Sequence, residues 1–272
     1  SFARKHDHEN FLCTLLLAGS ARDAALAVRA FNIEVARVAD VTSELNTARG
    51  RMTFWEHAVD DIFRGSVPHH PVTLELARTL KDYTLTKRNL QRLVKARHDH
   101  LNTTGFETLG KMEEYAEETV SPIYYVILEA MGLKNVQCDH AASHLGKSQG
   151  LATLMRAVPH NTATRRQLLL PHDLLLKHSV VQESVLRGTT TKGLKDVLFE
   201  IASAAKLHLD KTRSLVNNVP KEARTVFLPA VAVDCFLEQL RHVDFDIFDP
   251  KLRERNRSLG WKLFWNKLRS RY

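Results

Sequence analysis

Two stretches of this chain carry side chains whose spacing could do chemistry. The first is Arg37-Val-Ala-Asp40-Val-Thr-Ser-Glu44. On a helix, Asp40 and Glu44 stand four residues apart and share one face. Facing a second acidic pair across a bundle, they could hold Mg²⁺, which takes carboxylates together with phosphate oxygens. A solvated acidic edge at a helix end explains the same spacing, and one pair alone favours that plainer reading. The second stretch runs from Asp139-His140-Ala-Ala-Ser-His144 through Gly146, Lys147, Ser148 and Gly150 to Arg156. His140 and His144 lie at i, i+4 and could share a metal. Zinc needs a third ligand and usually a general base, which H-E-x-x-H supplies and this stretch lacks. Packing or capping histidines are the simpler reading, and no metal site is assigned. Ala141, Ala142, Ser143, Gly146, Ser148 and Gly150 are small enough for another helix, or a ligand, to come close.

Other candidates are plainer. His69-His70 and His98/His100 sit in polar surroundings and read as surface residues. Glu113, Glu114, Glu117 and Glu118 read as a solvated acidic face. No G-x-S-x-G, phosphate-binding loop or dinucleotide fingerprint occurs, and no cofactor is expected. At the C-terminal end a helix would align Trp261, Phe264, Trp265, Leu268 and Tyr272 as one stripe. Lys262, Lys267, Arg269 and Arg271 fall largely outside it. That pattern fits a helix lying on an anionic membrane surface with its aromatic rings at headgroup level. A terminal helix docked on the body with a basic outer face fits equally well.

The elements that must position these residues are helices. Ser20 can cap a helix through Ala21–Ser43. Met52, Trp55, Val59 and Ile62 mark the next, and Pro71 suits the first turn of a short one ending at Tyr83. Thr86 can cap a helix holding Leu90, Leu93, Val94 and Leu101, and a long helix spans Glu107 to Met131 with Pro122 inside it. Asp139 can cap a helix to Ala157, followed by a loop with Pro159 and Arg165-Arg166. Pro171 opens a short helix, and residues 192–217 read as a long amphipathic one with Leu194, Leu198, Ile201, Ala205 and His208 on one face. Pro220 opens the next, interrupted at Pro229 and ending near His242.

Composition agrees. Eleven glycines and eight prolines in 272 residues leave little turn chemistry, so the chain reads as all-α. Cys13, Cys138 and Cys235 are far apart with no C-x-x-C, which suits a reducing compartment. No apolar run approaches the roughly 20 residues of a membrane span. Ser1–Asn10 carries Asp7 and Glu9 and no apolar core, so it reads as neither a signal nor a transit peptide. The formal net charge is +8, yet residues 251–272 hold eight Lys/Arg against one Glu, so the rest is nearly neutral. This speaks against nucleic acid as a partner of the body. The organisation expected is one compact helical domain, 1–250, with a basic aromatic tail helix, 251–272.

In this order the pieces resemble the squalene/phytoene synthase family, from about Phe11 to Pro250. The resemblance implies an all-α isoprenoid-synthase-type bundle around a central cavity. It also implies binding of isoprenyl diphosphates through Mg²⁺ held by two facing aspartate-rich motifs. The first motif typically reads D-D-x-x-D-E; here it is Ala39-Asp40-Val-Thr-Ser43-Glu44, with Ala39 and Ser43 at two aspartate positions. The second, G-x-x-x-Q-x-x-N-x-x-R-D-x-x-x-D, maps onto Gly146–Asn161. There Gly150 replaces Gln, Thr153 replaces Asn, and Ala157 and Asn161 replace the two aspartates, while Arg156 remains. Arg165-Arg166 to Leu170-Pro171 is similar to the family's R-x-Y-L-P segment, with Leu169 for Tyr.

The strings Arg29–Ala36, Asp139–Gly150 and Val243–Pro250 resemble a mitochondrial branch of the same superfamily that serves respiratory complex I assembly. That closer resemblance implies a non-catalytic role early in assembly, around the membrane-embedded ND1 subunit. The location it implies is peripheral, on the matrix side of the mitochondrial inner membrane. The partners expected are complex I subunits or assembly intermediates, an anionic lipid surface, and a possible bound lipid. Asp40, Glu44, His144, Lys147 and Arg156 are the candidates for what is left of the pocket. A lipid- or isoprenoid-binding module, or a residual prenyltransferase with a rearranged metal site, are the alternatives.

Overall fold

The computed structural model describes residues 2–42 and 44–272, and its regular structure is helical. Among the described residues, extended pairing is confined to one bridge between Phe106 and Pro171. In chain order the helices are α1 (Phe2–His6), α2 (His8–Leu15), α3 (Gly19–Arg37), α4 (Leu45–Arg64), α5 (Pro71–Asp82), α6 (Lys87–Asp99) and α7 (Leu109–Ala130). There follow α8 (Val136–Arg165), α9 (His172–Lys177), α10 (Gln182–Leu186), α11 (Lys192–Ser214), α12 (Pro229–His242) and α13 (Leu259–Leu268). Short 3₁₀ turns cover Lys221–Phe227 and Pro250–Arg253.

Local chemistry starts and stops these elements. Thr108 and Thr191 each accept a hydrogen bond from a backbone N–H in the first turn of α7 and α11. The His70 ring accepts from Val72 N while Pro71 fills the first helical position of α5, so His70 is a cap rather than a free surface residue. Gly65 ends α4 at φ 86°, in the left-handed region that suits glycine. Met52, Trp55, Val59 and Ile62 bury the expected face of α4.

The boundaries of α3 and α8 differ most from the sequence reading, while α6 ends at Asp99, before Leu101, and α11 at Ser214. α3 starts at Gly19 and ends at Arg37, so Ser20 lies inside its first turn, and the expected end, Ser43, lies outside the described residues. The run after Arg37 has β-branched Val38, Val41 and Thr42, and the Thr42 hydroxyl bonds back to Val38 O at 2.7 Å. Such local bonds compete with continued helix. α8 is the larger difference. It is capped by Asn135, whose side chain accepts from Gln137 N and Cys138 N, and it runs 30 residues through Pro159. Asp139 therefore sits in the first turn, not at the cap. Pro159 removes one N–H, but Val158, Asn161 and Thr162 are buried on the continuing face, and the Thr162 hydroxyl bonds Val158 O. Tertiary burial outweighs the proline here.

α8 is the central element, packed between α7 and α11. The small residues on it make this approach possible. A Cβ on Gly146 would stand 2.7 Å from Ser121 N, and one on Gly150 would stand 2.7 Å from Ala116 Cα, both on α7. α6 lies on α7, α4 on α6, and α3 bridges α7 and α5. Between α3, α6, α7 and α8 is a cavity of about 500 Å³, reached also by His6 and Asp7 from the α1–α2 turn.

Candidate functional site

The five pocket candidates occupy three separate places. Asp40 lies in the turn after α3 and Glu44 at the N-cap position of α4, so they do not share a helix face. Both line a mouth beside the central cavity, with His160, Thr164 and Arg165 of α8 across from them. There Asp40 meets cations of its own chain: Arg165 Nη1 at 3.8 Å and His160 Nε2 at 4.0 Å. Asn161 points away from solvent and is buried, and Ala39 and Ala157 offer no carboxylate. Among the described residues no group of three His, Cys, Asp or Glu side chains is placed to hold a metal ion.

Arg156 serves a different groove. Its Nη1 donates to Glu9 Oε2 at 2.9 Å, and its guanidinium lies 4.5 Å from the Phe236 ring centroid. That groove, about 650 Å³, runs between α2, α8, α12 and the 252–259 segment. It shares His6 and Asp7 with the central cavity.

His144 and Lys147 are on the outer side of α8, against α7 and α11. His144 Nδ1 lies 2.8 Å from His208 Nδ1, and His208 Nε2 lies 3.5 Å from Glu113. If His208 presents Nε2–H to Glu113, its Nδ1 accepts from His144 Nδ1–H, a tautomer pair assigned from the network. Burial first, then the neighbouring His208 and His140, lower the His144 pKa to about 4, so its ring is neutral at pH 7. Lys147 pairs with Glu117 at 3.1 Å, and Ser143 Oγ donates to the same carboxylate. Arg92 grips Glu118 with two bonds of 2.7 and 2.8 Å. The glutamates of α7 are thus partnered, not simply solvated. His140 remains exposed, its ring 5.1 Å from that of His144.

Of the five candidates only Asp40 also lines the central cavity. Arg29, Arg37, Arg97 and Arg165 contribute four guanidinium groups, against the carboxylates of Asp7 and Asp40. His100 also lines it, its ring 4.7 Å from Tyr115, while its Nδ1 lies 2.8 Å from Ala96 O. His98 pairs with Glu56 at 2.8 Å, so this doublet too is structural rather than free surface. A sequence signal for the arginines existed. Buried Arg29 lies on the i, i+4 row of buried Ala25 and Ile33, and half-buried Arg97 follows buried Leu93 and Val94. A charge on an apolar row marks a cavity or a pair.

The C-terminal helix has two apolar faces. Leu259 and Leu263 are buried against Cys13, Leu228, Val231 and Ala232. On the opposite side Trp261, Phe264, Trp265 and Leu268 are exposed by 71, 50, 51 and 66%. Lys262, Lys267, Arg269 and Arg271 are exposed around them, with Arg269 over the Trp265 ring. Tyr272 departs from the expected stripe: it is buried beside Phe227, and its hydroxyl reaches Thr212 O at 3.4 Å. Both readings of this segment therefore find support in one helix, docked by its leucines and aromatic outside.

A helical bundle closed around a cavity, with a lateral mouth flanked by the turn after α3 and the end of α8, is an isoprenoid-synthase-type scaffold. The squalene/phytoene synthase model matches residues 3–268, and the chain belongs to that family. A rat protein named NADH dehydrogenase (ubiquinone) complex I, assembly factor 6, is 43% identical over 269 residues, covering 99% of this chain and 80% of its own. The Drosophila melanogaster homologue of that factor is 41% identical over 280 residues, covering 100% of this chain and 83% of its own. Among solved structures, a dehydrosqualene synthase in complex with ligand superposes with a TM-score of 0.81 at 15% identity, over 98% of this chain and 93% of that one. That likeness concerns the fold.

Proposed function

We propose that the chain is a non-catalytic assembly factor for respiratory complex I that works at the matrix face of the mitochondrial inner membrane. Its relatives named complex I assembly factor 6 are 40–43% identical in four mammals over nearly the full chain. The observation that carries the non-catalytic reading is the mouth of the cavity. Ionising a prenyl diphosphate needs a metal cluster to take up the leaving group's charge, and that cluster needs facing carboxylates. Here Asp40 faces Arg165 and His160, Ala39, Ala157 and Asn161 stand at other motif positions, and Ser43 is no carboxylate either.

The partners in this reading are complex I subunits or intermediates around ND1, and the contact with the bilayer is made by α13. No helix of the described residues is long and apolar enough to cross a membrane. The exposed ring of Trp261, Phe264, Trp265 and Leu268, flanked by Lys262, Lys267, Arg269 and Arg271, supports attachment to an anionic surface. The test is complementation of cells lacking assembly factor 6. Wild type and Asp40→Ala should both restore complex I on native gels. Turnover of an isoprenyl diphosphate by purified protein, abolished by Asp40→Ala, would refute the non-catalytic role.

A further inference from the structure

Among the described residues, two guanidinium groups that line the central cavity have no carboxylate within hydrogen-bond reach. Arg29 rises from α3 on an apolar row, is 3% exposed, and its Nε has no hydrogen-bond partner. Its paired carboxylate, Asp7, is 3.9 Å from Nη1, beyond hydrogen-bond reach. Arg97 on α6 meets only neutral oxygens: Leu93 O at 2.7 Å, Asn32 Oδ1 at 2.8 Å and Thr119 O at 3.2 Å. Burial works against its charge, and no carboxylate offsets this. A desolvated cation of this kind is costly unless an anion joins it. Arginine's planar fork matches phosphate and carboxylate oxygens.

We propose that the cavity binds a phosphate monoester directly on Arg29 and Arg97, without a divalent metal. Two guanidinium groups from different helices suit the double charge of such a group better than a single carboxylate. Arg29 lies eight residues before Arg37, roughly 12 Å along the α3 axis, so it stands away from the Asp40 mouth. The volume of about 500 Å³ far exceeds one phosphate, and Ile33, Val120, Ile123 and Leu154 give part of the lining an apolar character. The ligand is accordingly a phosphate on an apolar chain, as in a lipid with an exposed phosphomonoester head. This differs from the metal-bridged diphosphate mode that the family resemblance implies, and it does not depend on the assembly role.

The experiment is calorimetric titration of the full chain in EDTA with dihexanoyl phosphatidic acid as monomer. Inorganic phosphate and dihexanoyl phosphatidylcholine are run in parallel. Phosphatidic acid should bind one to one, phosphatidylcholine should not, and Arg97→Gln or Arg29→Gln should weaken binding at least about tenfold. Phosphate binding as tightly as phosphatidic acid would keep the metal-free anion site and assign it to free phosphate. Binding of neither anion in EDTA, or binding that appears only when Mg²⁺ is added, overturns the proposal. Binding unchanged in folded Arg97→Gln also overturns it. If the arginine variants do not fold, the wild-type titration with and without Mg²⁺ decides. Complex I restored by Arg97→Gln with binding lost would separate this site from the assembly role.

Discussion

The close packing of α7 on α8 makes a signed prediction from one kind of substitution. At Gly146 an added Cβ would fall 2.7 Å from Ser121 N and 2.8 Å from Ser121 Cα. These are backbone atoms, so no rotamer change relieves them and the two helices must part by several tenths of an ångström. Overpacking a tight interface costs about 1–3 kcal/mol, and this contact belongs at the upper end. Replacing Gly by Ala inside a helix returns about 1 kcal/mol of conformational free energy. Gly146→Ala should therefore destabilise by about 2 kcal/mol. Gly50 on α4 is exposed, with nothing within 4 Å of an added Cβ, so Gly50→Ala keeps only the favourable part and should stabilise by about 0.5–1 kcal/mol. The two variants should thus differ by about 3 kcal/mol, which separates their melting temperatures by roughly 6–12 °C for a chain of this size. Urea unfolding followed by circular dichroism, with midpoints compared at equal slope, is the assay. Stabilisation by both substitutions would mean that α7 and α8 stand further apart than described, and would sink the close-approach account of the small residues on α8.

Two more outcomes can be measured. Because the His144 pKa falls from 6.5 to about 4 on folding, the unfolded chain binds more protons between those values. Stability should then rise with pH from about 4 to 6.5, and a smaller slope in His144→Gln, read from denaturant midpoints across that window, tests it. The two faces of α13 should respond differently: Leu263→Ala should cost about 2 kcal/mol, the low end for a buried leucine because its cluster is small. Trp261→Ser with Trp265→Ser should leave stability within about 0.5 kcal/mol yet reduce flotation with anionic vesicles, most clearly at low salt. Undiminished flotation of that pair would remove α13 as the membrane contact.

Much of the fold was legible because helical periodicity reports which side chains are buried. Met52, Trp55, Val59 and Ile62, or Leu194, Leu198, Ile201 and Ala205, state the buried face of α4 and α11 directly. Pro159 reads locally as a helix end, but Val158, Asn161 and Thr162 are buried and carry α8 past it. The site was harder. Spacing reports what shares a face on one helix, whereas the cavity is made by residues that meet across helices. Asp40 and Glu44 looked like a pair and are divided by a helix end. His144 and Lys147 looked near Arg156 along the chain and face α7 and α11 instead. Arg29 and Arg97 are 68 positions apart and line one cavity because α3 and α6 both pack on α7.

The packing and the electrostatics of this scaffold are separable. The cavity's shape comes from α7, α8 and α3, pressed together through Gly146, Gly150 and the buried apolar rows. None of those contacts involves the carboxylate positions at the mouth. Two facing acidic motifs of the kind the family resemblance implies would repel without bound cations, and Ala39, Ala157 and Asn161 at those positions carry no such repulsion. The remaining acid, Asp40, then has Arg165 as its counter-charge, at a distance where an exposed pair contributes at most about 1 kcal/mol. Inside the cavity, among the described residues, Arg97 meets no carboxylate and Arg29 has Asp7 at 3.9 Å, outside hydrogen-bond reach. In the proposed binding mode, the same helices that build the cavity thus hold an anion on Arg29 and Arg97, with no acidic cluster needed at the mouth.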